Sequence, residues 1–204
     1  MKQSDKQVLR SDTPGSFWEE ALPLGNGRLG AMLYGKTDTE CIHLNEDTLW
    51  SGIPREKQNP TALAHLAEVR RLVMADRFAE GQALIEREML GPWTESYQPV
   101  GHVLLDWQDA GTVEAYHREL VLDEAIASSS FRRNGSAVEI ETFASHPDRV
   151  IVWRASSQGG LSFDIRLESL LPVTRFSVAG AAETRGFAGN LFISGHAPSH
   201  IEPS

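Results

Sequence analysis

From about residue 100 onward this chain follows the two-residue rhythm of half-buried strands, and that rhythm limits its fold more than any other feature. Leu161, Phe163, Ile165 and Leu167 interleave with Ser162, Asp164, Arg166 and Glu168. Successive side chains of a strand point to opposite faces, so one set is dry and the other wet. Val138 and Ile140 alternate with Glu139 and Glu141 in the same way, and Arg149 to Ala155 is a more continuous apolar run. Asn134-Gly135, between Phe131 and Val138, is a strong two-residue hairpin signal. Strands spaced about ten residues apart, with turn residues between them, predict a sandwich or barrel.

Upstream, Leu29 to Tyr34 and Glu40 to Leu44 read as short strands joined by a Gly35-Lys36-Thr37-Asp38 hairpin loop. Residues 60–90 change period. Leu63, Leu66, Val69 and Val73 recur at three and four, and Asn59-Pro60 offers an N-cap followed by Pro at the first helical position. A second helix starting near Asp76 carries Phe78, Leu84, Ile85 and Met89 and stops at Gly91-Pro92. The expected fold is therefore mainly β: an antiparallel β-sandwich with a helical pair inserted near residues 60–90. Residues 1–15 read as a lead-in segment ending in the turn signal Asp12-Thr13-Pro14-Gly15. Residues 16–204 read as one sandwich domain. It is expected to be incomplete, because Gly195 to Ser204 follows a strand with no closing element to tie it down.

Composition narrows the function. Lys+Arg number 19 against 28 Asp+Glu, a net charge of −9, and no basic run exceeds two residues. Nucleic-acid partners are disfavoured, since phosphate binding is driven by clustered cations. The longest apolar runs are far short of a membrane span. The polar start, Met1 to Asp12, has no signal-peptide core. The chain thus reads as soluble: cytoplasmic as written, secreted if a signal has been removed. The single Cys41 excludes an internal disulfide and, beside Ile42 and Leu44, reads as a buried inert thiol.

The segment His43 to Gly52 (H-L-N-E-D-T-L-W-S-G) is the most suggestive motif. It runs from a strand into a polar turn that carries Trp50. Three readings stand for that ring: a core or interface Trp, a contact near a sugar subsite, or an incidental exposed side chain. Trp offers a large, rigid, polarisable surface to a sugar C–H face. Trp93, Tyr97 and Gln98 form a second aromatic-polar loop after the helical pair. Asn45, Glu46 and Asp47 are adjacent, so their side chains diverge. They read as loop-fixing hydrogen-bonding groups rather than an acid–base pair or a metal site. Gly25-Asn26-Gly27-Arg28-Leu29-Gly30 fits G-x-G-x-x-G but lacks the strand-to-helix setting that a dinucleotide needs, and reads as a tight turn. Ser51 is not in a G-x-S-x-G elbow. The seven histidines look scattered, so neither a metal nor a cofactor is expected.

Taken in order, Trp18 to Gly30, His43 to Gly52, Tyr97 to Gly101, Tyr116 to Leu122, Phe143 to Val150 and Gly195 to His200 resemble the N-terminal domain of glycoside hydrolase family 95, the α-L-fucosidase family. The likeness covers nearly the whole chain from about residue 12. It is specific as an ordered set and weak in any one piece. His102 stands where that family usually has Asp, and Ile140 where it usually has Arg. The resemblance implies an N-terminal β-super-sandwich, a linker, an (α/α)6 catalytic barrel and a small C-terminal β domain. It implies inverting hydrolysis of terminal, typically α-1,2-linked, α-L-fucosides, some members preferring α-L-galactosides. The acid and the water-positioning groups would lie in the barrel, so no catalytic residue is carried onto this chain. The partners implied are that absent barrel and a fucosylated oligosaccharide. Asn45, Glu46, Asp47, Trp50, Trp93, Tyr97 and Gln98 are the candidates for the barrel interface or substrate rim. A stand-alone carbohydrate-binding module and a nonfunctional gene fragment are the other readings.

Overall fold

The structure is a computed structural model that describes residues 6–108, 111–183 and 186–201. The chain divides into two compact units: residues 1–50 with 97–198, and residues 51–96 with 199–204.

The first unit holds two five-stranded antiparallel sheets. One is ordered β1-β6-β7-β8-β9, built from β1 (Val8–Ser11), β6 (Val113–Val121), β7 (Ile126–Arg133), β8 (Ser136–Ser145) and β9 (Val150–Ser157). The other is ordered β10-β5-β4-β3-β2, built from β2 (Leu22–Gly25), β3 (Leu29–Leu33), β4 (Thr39–Glu46), β5 (Gly101–Trp107) and β10 (Phe163–Glu168). A separate hairpin pairs β11 (Val173–Glu183) with β12 (Gly186–Gly195). The core lies between the two sheets. Leu24, Ala31, Leu33, Ile42 and Leu105 of one sheet cluster with Leu120 and Ala127 of the other. Trp107 meets Phe131, Val138 and Ile140 in a second cluster. Both clusters draw on both sheets, which makes this a sandwich with its apolar faces inward.

Local signals explain several elements. Asn134 and Gly135 have φ of 50° and 79°, and Arg133 pairs directly with Ser136. That is the two-residue turn the dipeptide predicts, with both residues left-handed. Val138 and Ile140 are buried, as their alternation requires. In β10 the dry face is only partly covered: Ile165 is 42% exposed. This strand is a sheet edge, and Ile165 borders an open apolar cavity of about 430 Å³ with Ile42, Val103, Leu105, Ile151 and Trp153.

The expected lead-in segment contains β1, which pairs Val8 with Val121 and Ser11 with Arg118. Four residues of mixed polarity carry no readable period, and the partner strand supplies the order. The G-x-G-x-x-G stretch is the β2–β3 turn. Asn26 Oδ1 accepts hydrogen bonds from the Arg28 and Leu29 amides at 3.0 and 2.7 Å, and strand follows instead of helix.

In the second unit, α1 (Ala62–Met74) packs against α2 (Phe78–Glu88). Val69 and Leu72 are buried. Gly81 of α2 is also buried, and a Cβ there would lie 3.7 Å from Leu72 and Val73, so the helices approach closely at that point. The first helix begins two residues later than Asn59-Pro60 suggests. Asn59 instead holds the pair together: its Oδ1 accepts from the Thr61 amide, and its Nδ2 donates to the Glu88 and Leu90 carbonyls. No described helix is long and apolar enough to cross a membrane.

Candidate functional site

Strand β4 carries the polar loop out of the sandwich. Its last residues, Asn45 and Glu46, pair with Gly30 and Leu29 of β3. Beyond it, an isolated antiparallel bridge joins Trp50 to Tyr97. The Gln98 amide donates to the Leu49 carbonyl at 2.9 Å, and the Leu49 amide donates to the Glu46 carbonyl at 3.1 Å. Trp50 and Tyr97 meet edge to face, centroids 5.5 Å apart at 73°. Each ring is also pinned by its polar atom: the Trp50 indole donates to the Asp47 carbonyl at 3.2 Å, and the Tyr97 hydroxyl to the Glu46 carbonyl at 3.0 Å. The rings are 50% and 41% exposed, so this is an oriented aromatic surface and not a core packing.

The carboxylate of Glu46 is occupied. It accepts from the Thr48 hydroxyl at 2.6 Å, the Thr48 amide at 2.9 Å and Arg28 Nε at 2.8 Å. The Thr48 hydroxyl leads in holding it below the usual carboxylate range, with the Thr48 amide and Arg28 adding to the effect. A general acid needs the opposite shift, so Glu46 fixes the loop, as its sequence setting implies. Asp47 is exposed, and its amide donates to the Arg28 carbonyl at 3.0 Å. Asn45 is half-buried at the rim of the apolar cavity, and Gln98 is buried at 7% exposure. The structure thus brings Asn45, Glu46, Asp47, Trp50, Tyr97 and Gln98 into one region. Trp93 belongs to the helical unit and is 76% exposed there.

Two clusters bring together residues that lie far apart in the sequence. In the helical unit, Glu95 accepts hydrogen bonds from the Ser51 hydroxyl at 3.2 Å and Arg55 Nη2 at 2.5 Å, lies 3.5 Å from Lys57 Nζ and 3.3 Å from His200 Nδ1. Burial works to raise its pKa, but the His200 and Ser51 hydrogen bonds and the neighbouring cations hold it lowered.

The other cluster corrects the reading of the histidines as scattered. His43 of β4 lies directly opposite His102 of β5, and their rings stack with centroids 4.1 Å apart at 17°. Cys41 lies two residues before His43, hence on the same face. The expected inert, buried thiol is only half-buried. Burial first, then Glu40, pushes its pKa up, while burial followed by the His102 charge pushes that of His43 down. The alternating Cys41-x-His43 was legible in the sequence. Its third member depends on cross-strand register, which was not.

Residues 9–201 match the family described as glycosyl hydrolase family 65, N-terminal domain. The chain is 39% identical over 163 residues to alpha-L-fucosidase 2 of Arabidopsis thaliana, covering 78% of this chain and 19% of that protein. It is 36% identical over 163 residues to a probable alpha-fucosidase A of Aspergillus niger, covering 75% and 20% respectively. A probable alpha-fucosidase A of Aspergillus oryzae is 26% identical over 151 residues. The chain therefore spans about a fifth of the length of these curated relatives.

Proposed function

This chain belongs to the glycosyl hydrolase family 65 N-terminal domain family, and from that membership we propose that it serves as the non-catalytic N-terminal module of an inverting α-L-fucosidase of the family 95 type. In this reading the parent enzyme removes terminal α-L-fucose from oligosaccharides, and the sandwich packs on a catalytic barrel and shapes the rim of its active site. The observation that carries the reading is the match across residues 9–201 together with relatives named as fucosidases. The loop chemistry agrees with it. Glu46 is engaged by Thr48 and Arg28, while Trp50 and Tyr97 present an oriented aromatic surface. Such a surface suits a barrel contact or a sugar C–H face better than proton transfer. The half-exposed Trp50 also favours a second reading, a module that binds fucosylated oligosaccharide by itself.

The test has two arms. The native polypeptide is captured from its source cells with an antibody to this chain, sized, and assayed on an α-1,2-fucosyl oligosaccharide. A band several times heavier than 22.5 kDa that releases fucose is expected. In parallel the purified 204 residues are assayed alone and titrated with the same oligosaccharide. Turnover that survives repurification would overturn the non-catalytic assignment. Binding lost on Trp50→Ala, with no heavier native band, would favour the binding module.

A further inference from the structure

On the outer face of the β10-β5-β4-β3-β2 sheet, Cys41, His43 and His102 each present one ligating atom, and the three atoms lie within 4.8 Å of one another. We propose that these residues form a three-ligand transition-metal site that takes Zn²⁺ through one thiolate and two imidazoles.

Position comes first. Strands β4 and β5 are inner strands of their sheet, and His43 and His102 each have a paired neighbour on both sides, Met32 and His102 for the one and His43 and Glu168 for the other. Cys41 and His43 alternate on one face of β4, and the register places His102 opposite His43. Buried Ile42, between the two β4 ligands, faces the core, which fixes the outward direction of its neighbours. Sites on regular elements hold their ligands more precisely than sites on loops. The Tyr34 ring packs against His43 at 5.0 Å and 61°, limiting its swing.

Donor chemistry comes next. A thiolate with two imidazoles is a borderline-soft set, suited to Zn²⁺ and poorly suited to Mg²⁺ or Ca²⁺, which take oxygen ligands. Tetrahedral bonds of about 2.0–2.3 Å place ligand atoms roughly 3.5 Å apart, so closure from 4.8 Å draws the ligand atoms together by about 1 Å and turns the stacked imidazoles until both ring planes aim at the metal. All three residues are half-buried, which leaves an approach from solvent. Three protein ligands leave a fourth position for water or another small donor. The assignment is independent of the fucosidase reading, because it rests on this face of the sheet alone.

The full chain, reduced and stripped with a chelator, is titrated with Co²⁺ and then Zn²⁺. Expected are one Co²⁺ per chain, a thiolate-to-cobalt charge-transfer band in the near ultraviolet, tetrahedral d–d absorption, and bleaching of both on Zn²⁺ addition. Cys41→Ser should abolish the charge-transfer band and weaken Zn²⁺ binding at least about tenfold, and His102→Gln should weaken it to a similar degree. Absence of the band in the unaltered chain overturns the site. So does Zn²⁺ affinity left unchanged in a folded Cys41→Ser chain, which would put the metal elsewhere. If a variant fails to fold, the cobalt spectrum of the unaltered chain still decides.

Discussion

Glu40 offers the sharpest test of the interior. It is 3% exposed, on the inward face of β4, and its carboxylate accepts hydrogen bonds from the Gly35 and Lys36 amides. Those bonds favour the charged form, but burial outweighs them and lifts its pKa from 4.5 to about 7. The folded chain therefore holds this proton to a higher pH than the unfolded chain does. The resulting stability is full below pH 4.5, declines as pH rises through about 7, and is lost above that. At about 1.4 kcal/mol per pH unit, the gap corresponds to about 3 kcal/mol. Glu40→Gln keeps the shape but cannot ionise, and its NH2 group faces one of the two donating amides, a cost that does not change with pH and so drops out of the comparison. Urea unfolding of both proteins at pH 5, 6, 7 and 8, with chelator present, isolates the effect, because other groups cancel in the difference. The variant should gain roughly 2–3 kcal/mol on the unaltered chain between the ends of this range, somewhat less than the full gap because Glu40 is already partly ionised in the unfolded chain at pH 5. A difference that stays constant with pH would refute the reasoning.

Two further substitutions probe the fold by denaturant unfolding. Phe131→Ala removes a 3% exposed ring that packs against Trp107 and Tyr116, and should lower stability by about 3–5 kcal/mol. Gly135→Ala meets no atom within 4 Å and carries only the strain of a φ of 79°, so it should lower stability by about 1 kcal/mol, well short of the Phe131 effect.

What the sequence reveals is what short-range rules govern. Val138, Ile140 and Asn134-Gly135 announce β7 and β8 because alternation and turn chemistry are local. The helical pair is visible by its period, yet its start is displaced because Asn59 bonds across to the end of α2 instead of capping α1. β1 is hidden because its order comes from β6, far along the chain. The site divides in the same way. The turn-fixing role of Glu46 follows from its neighbours, whereas the Trp50–Tyr97 bridge and the His43–His102 stack follow from pairings that a linear reading does not contain.

The strand order has a consequence for how the molecule assembles. β6, β7, β8 and β9 are neighbours in sequence and in space, so each pairing closes only a short loop. The other sheet must bring β5 beside β4 across the whole helical segment, and β10 beside β5 across the entire meander. Closing longer loops before contacts form carries a larger entropic penalty and slows folding. The expected sequence of events is a meander that forms first and acts as a template, with the long-range sheet condensing onto it. Pulse-labelled hydrogen exchange during refolding would show early protection in β7 and β8, and protection in β4 and β5 at the same early times would contradict it.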